Sequence, residues 1–361
     1  MKIIEIMPAY ALCGVTRFVV DLSNSLAAAH EVVLVVLHSP AGAARGELHP
    51  NIRLVEMNKR PGRDIRLCFR LSALLRRERA DIIHLHGSNT LFYAAPSILS
   101  GWGGRYYYTL HSESSFEIPS RTLNKLAEYA LFRSGHCKVI ATSAFTAQSL
   151  RFPVPVIPPG RAISKQQLAD SSALREVEEI RKRRGGTILL SVSNITPVKN
   201  QILLCGAVRK LAEKGYNIEL LLIGNAPDTD YFRRVQQLRH ERIHFLGPRH
   251  NVPAYMAAAD FFCLSSLTES GPLVLIEAFF AGLIPVCTPC GDVPNKIRHG
   301  YNGYFADDFS EESYLEVLEK ALSLTPDQQN TMRREVRRSF REYSMETCAN
   351  KHIQLFESTA S

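Results

Sequence analysis

Thr268-Glu269-Ser270-Gly271-Pro272-Leu273-Val274-Leu275-Ile276-Glu277-Ala278 is the stretch on which fold and function both turn. It follows a short apolar run, 260–265, of the kind that forms a strand buried on both faces, and it opens an apolar helical pattern. Pro272 sits where a proline is tolerated, in a helix's first turn. The amides of Leu273 and Val274 then project from the positive end of the helix, which suits a diphosphate. Glu269 lies in the loop before that end and Glu277 about one turn inside it. Two carboxylates beside an anion site make sense if each binds hydroxyl groups, one set on either side of the phosphates. The plainer alternative is a capping Glu269 and a solvated Glu277. The apolar residues around Glu277 argue against full solvation.

The same alternation of strand and helix extends in both directions. In the first half the strand candidates are 3–7, 32–38, 52–57, 81–86, 106–111, 138–142 and 154–157. One helix begins near Thr16, a plausible N-cap, and carries Phe18, Leu22 and Leu26; another runs from Asp64 through Leu67, Leu71, Leu74 and Leu75. Ile157-Pro158-Pro159-Gly160 breaks the rhythm, and a polar helical stretch follows to Arg184-Gly185-Gly186. Strands resume at 187–193, 218–224, 243–246, 260–265, 284–287 and 303–305, with helices starting near Lys199, Thr229, Leu273 and Ser310. The pattern predicts an α/β chain of two Rossmann-like parallel sheets: a first domain over 1–158, a linker over 159–186, and a second domain over 187–335. C-terminal helices over 336–361 are expected to return to the first domain. Ligands of such sheets bind at the carboxyl ends of the strands, in a cleft between the domains.

A chain of 361 residues, 45% hydrophobic and 22% charged, is too long for one core and too apolar for disorder. No apolar run approaches the ~20 residues of a membrane span, and the opening MKIIEIMPAY reads as a buried first strand rather than a signal peptide. The eight cysteines are scattered, and Cys287 and Cys290 form a lone C-x-x-C without the further ligands a zinc site needs. Free thiols suit a reducing cytoplasm. The net charge of +8 gathers at Lys59–Arg63, Arg76–Arg79 and Arg181–Arg184. A solvated face explains it first and an anionic membrane surface second; no nucleic-acid motif accompanies it.

The Glu-x7-Glu spacing from Glu269 to Glu277, followed by Ala281-Gly282-Leu283-Ile284-Pro285-Val286, resembles the retaining glycosyltransferase family 4, of GT-B fold. The resemblance extends over nearly the whole chain. It implies that Glu269 lies by the transferred sugar and that Glu277 binds the ribose of a nucleotide-sugar donor. Ser270, Gly271, Leu273 and Val274 then hold the diphosphate. The family usually places an Arg and a Lys in the segment that reads Ser193-Asn194-Ile195-Thr196-Pro197-Val198-Lys199 here. Lys199 matches the Lys, and a lysine at a helix start sits badly with the dipole unless an anion faces it. Asn194 stands where the Arg is expected, so either another cation such as Arg17 or Arg161 supplies the charge or diphosphate binding is weaker. Gly14, in Cys13-Gly14-Val15-Thr16-Arg17, keeps one glycine of the family's Gly-Gly loop; the alternative is an ordinary strand–helix turn.

Asp81-Ile82-Ile83-His84-Leu85-His86-Gly87 resembles the family's His-x-His-Gly strand end and puts His86 in the cleft or in the core. As a metal pair, His84 and His86 lack a third ligand in the sequence. His111, in Tyr108-Thr109-Leu110-His111-Ser112, resembles the family histidine that reaches the transferred sugar. Arg249 is expected to border the base pocket. Asp228-Thr229-Asp230 mimics a metal-binding D-x-D, but N-capping explains it, and GT-B enzymes generally need no such metal.

The resemblance implies a retaining hexosyltransferase using a UDP- or GDP-linked sugar. The acceptor is a glycan or lipid-linked molecule of envelope polysaccharide or lipopolysaccharide synthesis, and the setting is the cytoplasm or the cytoplasmic membrane face. No cofactor and no metal are expected. The rival readings are a GT-B nucleotide-sugar epimerase and an inactive relative that binds nucleotide or glycan.

Overall fold

The computed structural model describes residues 1–10, 14–39, 47–112, 130–150 and 152–358. The chain divides into two compact units: Met1–Ala162 with Tyr343–Ser361, and Ile163–Glu342.

The first unit is built on six parallel strands: β1 (Lys2–Ala9), β2 (Glu31–His38), β3 (Ile52–Glu56), β4 (Ile82–His86), β5 (Arg105–Leu110) and β6 (Cys137–Ala141). Their order, β3-β2-β1-β4-β5-β6, reverses between β1 and β4. One face of the sheet presents Ile4, Ile6, Val33, Val35, Ile83 and Leu85 to Leu67, Leu71 and Leu75 of helix Ile65–Glu78 and to Leu91 and Ile98 of helix Ser88–Leu99. On the other face Tyr107 meets Phe356 of helix Met345–Ser358, with ring centroids 4.7 Å apart. Burial on both faces is why these strands read as mostly continuous apolar runs.

The C-terminal helix is tied in through the backbone: Arg161 N–H donates to the Tyr343 carbonyl and Met345 N–H to the Arg161 carbonyl, both at 3.0 Å. Gly160 makes room for this crossing, since a Cβ there would press on Met345 and Cys348.

The second unit repeats the design with β7 (Thr187–Val192), β8 (Ile218–Ile223), β9 (Ile243–Gly247), β10 (Phe261–Leu264), β11 (Ile284–Cys287) and β12 (Tyr304–Phe305). The order is β12-β11-β10-β7-β8-β9, all parallel, with the reversal between β7 and β10. Each unit therefore has its own switch point, and loops leaving the carboxyl ends of β1 and β4, or of β7 and β10, form the ligand-binding crevice of such a sheet.

Three readings of the sequence change. Segment 154–157 is no strand: it makes only an isolated bridge, Ala141↔Val156, because Pro153, Pro155, Pro158 and Pro159 offer no N–H to a ladder. The stretch read as a linker contains helix Ser171–Arg184, which belongs to the second unit and is tied there by the Arg181–Asp260 ion pair at 2.9 Å. The first helix starts at Gly14, not at Thr16, and Thr16 spends its hydroxyl on the Ala9 carbonyl at 3.1 Å. Cys13 lies outside the described residues.

Candidate active site

In the second unit the loop after β10 carries Glu269 and the loop after β7 carries Lys199. The two side chains form an ion pair, and Ser266 donates its hydroxyl to the same Glu269 oxygen at 2.9 Å. The loops are locked to each other by backbone and side chain. Leu267 N–H donates to the Val198 carbonyl, and the Ser265 hydroxyl to the Lys199 carbonyl, both at 2.8 Å. A third loop, after β11, braces the second: the Thr288 hydroxyl donates to the Ser266 carbonyl at 2.6 Å. Gly291 adopts φ +53° directly against Glu269, where a Cβ would overlap the Glu269 carbonyl oxygen.

Helix Leu273–Ala281 begins a few residues after Glu269. Its N-terminal end has no side-chain cap and no acidic residue in the first turn. Uncapped amides at a helix's positive end are what an anion needs. Ser270, Gly271, Leu273, Val274 and Glu277 are all half-buried around this helix start or along its first turns.

Lys199 does not begin the following helix. It closes the 3-10 turn Pro197–Lys199, and Asn200, left-handed at φ 49°, separates it from helix Gln201–Glu213. The conflict with a helix dipole that the sequence suggested is therefore absent; the Glu269 carboxylate is the charge that Lys199 answers. Asn194 is exposed, and its carbonyl accepts from Gln201 at 3.0 Å.

Neither substitute cation is idle. Arg17 pairs with Glu47 at 2.7 Å and with Asp21 at 3.4 Å, and Arg161 is buried in an ion pair with Asp21. Arg249 is likewise engaged. Its guanidinium donates to Glu176 at 2.7 Å, to the Tyr255 hydroxyl at 2.9 Å, and to the Leu246 and Pro248 carbonyls, clamping helix Ser171–Arg184 to the end of β9. Sequence spacing could not reveal this, because Glu176 comes from the supposed linker. Asp228 caps its helix by accepting from Tyr231 N–H at 2.9 Å, as capping chemistry predicts. Cys287 and Cys290 are both buried, and burial pushes their thiols up, Cys290 to about 12, so neither is a ready thiolate.

In the first unit a chain of polar side chains crosses the buried face of the sheet. Glu5 on β1 stands in register with His84 on β4. The two carboxylate oxygens of Glu5 lie 3.2 and 3.1 Å from His84 Nδ1, and the second of them also meets His86 Nε2 at 2.7 Å. His84 Nε2 meets the Thr109 hydroxyl at 2.7 Å, and His86 Nδ1 meets His111 Nε2 at 3.0 Å. Phe18 packs edge-on against both His86 and His111. Glu5, His84 and His86 are fully buried, and His111 lies just past β5, at the carboxyl end of the sheet.

Burial alone would raise the Glu5 carboxyl; the charge of His84 and the hydrogen bonds from His84 and His86 outweigh it and hold the group below the usual carboxylate range. Burial and the adjacent His84 bring His86 down to about 4 against the opposing pull of Glu5. His111 is pushed well below its ordinary value by burial and by His86 and His84. Glu5 also brings a carboxylate within 4.8 Å of the His84 and His86 ring nitrogens, a third group that the sequence did not place beside them. Here hydrogen bonds join them. Gly14, at the start of the first helix, is exposed.

Two open parallel sheets of six strands, each with its polar residues gathered at a switch point, make up the GT-B fold. The chain belongs to glycosyltransferase family 4: residues 13–164 match the model of that name, and residues 174–343 match "Glycosyl transferases group 1". Among curated proteins it is 25% identical over 286 residues to N-acetyl-alpha-D-glucosaminyl L-malate synthase of Bacillus anthracis, covering 72% of each chain. It is 30% identical to the lipopolysaccharide glucosyltransferase WaaG of Escherichia coli over 176 residues, covering 48% of this chain and 46% of WaaG. Matches take in between 57% and 72% of the first few curated relatives. Among solved structures, Anabaena Alr3699/HepE in complex with UDP-glucose superposes with a TM-score of 0.82 at 18% identity, covering 99% of this chain and all of that one.

Proposed function

We propose that the protein is a retaining hexosyltransferase that takes a sugar from a UDP- or GDP-linked donor and delivers it to a glycan or lipid-linked acceptor. The class of pathway is envelope polysaccharide or lipopolysaccharide synthesis. The observation that carries the proposal is the uncapped start of helix Leu273–Ala281 next to the Lys199–Glu269 pair at a switch point. That arrangement offers amides and a cation to a diphosphate and a carboxylate to sugar hydroxyls. Similarity to an N-acetyl-alpha-D-glucosaminyl L-malate synthase and to a lipopolysaccharide glucosyltransferase supports hexosyl transfer.

In the proposed reaction the anomeric carbon–oxygen bond to the diphosphate breaks, and the acceptor oxygen bonds to that carbon on the same face. The acceptor proton passes to the departing diphosphate, so no protein base is required. Lys199 and the helix amides stabilise the negative charge that grows on the leaving phosphate. Glu269 holds the sugar, and Glu277 holds the ribose. No metal enters these steps.

Thermal-shift screening against UDP- and GDP-sugars tests the donor class, and turnover that depends on an acceptor separates a transferase from an epimerase. Glu277→Ala is expected to weaken nucleotide binding while the protein stays folded. Leaving ribose hydroxyls without this acceptor costs about 1–3 kcal/mol, or roughly tenfold in affinity per 1.4 kcal/mol. Wild-type affinity in the folded variant removes the ribose assignment.

No helix among the described residues is long and apolar enough to cross a membrane. Peripheral attachment to an anionic leaflet through the first unit is part of the proposal. Leu67, Leu71 and Leu75 are spent on the core as the periodicity requires, yet Ile65 and Phe69 on the same helix are 66% and 73% exposed. Leu99 and Trp102 are exposed nearby, and Arg76 lies over the Trp102 ring at 5.2 Å. In this reading basic residues worth about 1 kcal/mol each act together with these exposed apolar groups. Sedimentation with anionic vesicles should retain the protein at low salt, less at high salt, and less still in a Phe69→Ser, Trp102→Ser variant. No retention at low salt removes the idea.

A further inference from the structure

The sequence offers His84 and His86 as a histidine pair on one strand face, and the fold sets a carboxylate against both rings. We infer that Glu5, His84 and His86 form a structural site for a divalent transition metal of the zinc class, with Glu5 Oε2, His84 Nδ1 and His86 Nε2 as ligand atoms. The inference goes beyond the transfer reaction proposed above and does not rest on it.

Two imidazoles and a carboxylate suit zinc and its neighbours rather than magnesium or calcium. One ligand atom from each group lies within 4.8 Å of the others. Glu5 Oε2 stands 3.1 Å from His84 Nδ1 and 2.7 Å from His86 Nε2. Ligands of a tetrahedral zinc with bonds of ~2.0–2.1 Å sit about 3.3 Å apart, so the carboxylate needs to withdraw by only about half an ångström. Each ring also has a partner on its far nitrogen, as metal-ligating histidines do. The Thr109 hydroxyl meets His84 Nε2 at 2.7 Å, and His111 Nε2 meets His86 Nδ1 at 3.0 Å. Moving one proton across each ring, onto the nitrogen that faces those partners, turns a lone pair of each imidazole toward Glu5. The hydrogen bonds of the cluster then become ligand contacts, and the core gains no charge other than that of the ion.

Glu5, His84 and His86 are completely buried, which makes this a closed, structural site rather than one open to substrate. A fourth donor stands beside it. His352, on helix Met345–Ser358, is fully buried, with its ring centroid 5.4 Å from that of His84. Its Nδ1 lies 2.9 Å from the Cys348 carbonyl. A carbonyl only accepts, so Nδ1 carries the proton and Nε2 of the neutral ring presents a lone pair. That Nε2 has no hydrogen-bond partner among the described residues. A buried polar atom left unpaired costs about 1–3 kcal/mol, and coordination removes the cost. His352 lies outside the 4.8 Å group, so it takes the fourth position only as the ion draws it in. Coordinated in this way, the ion ties β1 and β4 to the C-terminal helix, and its binding energy becomes folding energy of the first unit.

The test reads the metal directly, without substrate. Because the site is closed, the full chain is unfolded, stripped with a chelator and refolded with or without zinc chloride, beside protein isolated as expressed. Elemental analysis after gel filtration is expected to find about one zinc per chain. X-ray absorption at the zinc edge should show at least two imidazoles, a carboxylate oxygen and no sulfur. Glu5→Gln and His84→Gln should each weaken zinc binding at least about tenfold, the least that loss of a supporting partner costs. His136→Gln, at an exposed histidine, should leave it unchanged. Zinc should raise the melting temperature of the wild type by several degrees and that of Glu5→Gln not at all.

Wild-type protein that holds no zinc, either as isolated or after refolding with it, overturns the inference and leaves the cluster a hydrogen-bonded network. Zinc that persists in folded Glu5→Gln and His84→Gln, or that is lost equally in His136→Gln, lies elsewhere and overturns it too. If both cluster variants fail to fold, the ligands seen by absorption in the wild type decide. At least two imidazoles with an oxygen support the site, and any set that includes sulfur removes it.

Discussion

Replacing Gly291 by alanine is expected to lower turnover about 100-fold or more, through a side chain that never touches substrate. Gly291 follows β11 in a loop that braces the Glu269 loop, and its φ of +53° lies in the left-handed region. A methyl group there overlaps the Glu269 carbonyl oxygen, which is backbone and cannot rotate aside. The loop must move, and with it the carboxylate assigned to the sugar and its pairing with Lys199. Displacements of about 1 Å in such machinery cost roughly 100-fold in rate. The left-handed strain adds about 1–3 kcal/mol of instability, so the melting temperature should fall by a few degrees as well. The measurement is initial rate with the donor found by thermal shift, beside a melting curve and UDP affinity. Turnover within a factor of a few of wild type in a folded Gly291→Ala protein would show that the Glu269 loop is not held to a fixed position.

Lys199→Ala is expected to cost about 100- to 1000-fold in turnover, the range seen when one donor to a developing negative charge is removed. The ground state is affected too. Without Lys199 the half-buried Glu269 carboxylate keeps the Ser266 hydroxyl but loses its counter-ion. That repels the diphosphate and should raise the donor KM. A double variant separates the two contributions: Lys199→Ala with Glu269→Gln removes the stranded charge and should recover donor affinity without recovering turnover. Wild-type turnover from folded Lys199→Ala would mean that another cation serves the phosphate. Arg17 and Arg161 are poor candidates, because Asp21 and Glu47 already hold them.

The sequence by itself determined the two parallel sheets. Strands buried on both faces are apolar at most positions, so they stand out as mostly continuous runs, and all but the proline-broken 154–157 became strands. It also announced the uncapped helix at Leu273 and the acids on either side of it, because a local strand–loop–helix motif keeps its chemistry within about ten residues of chain. Resemblance to a family then attached roles to Glu269, Glu277, Lys199 and His111.

Tertiary structure alone decided which charges belong to each other. Lys199 and Glu269 are 70 positions apart and meet because β7 and β10 are neighbours at the reversal of strand order. Glu5 and His86 are 81 positions apart and meet because β1 lies beside β4. Arg249 looked available until folding brought Glu176 to it, and Arg161 until it brought Asp21. Glu5 gave no signal at all: one acid in an apolar strand reads as a chance polar residue, and only the parallel register shows the two histidines it faces. The physical reason is the same in each case. Periodicity and capping are set by neighbours along the chain, whereas the pairing of buried charges is set by which strands lie side by side, and that order is not written in any one segment.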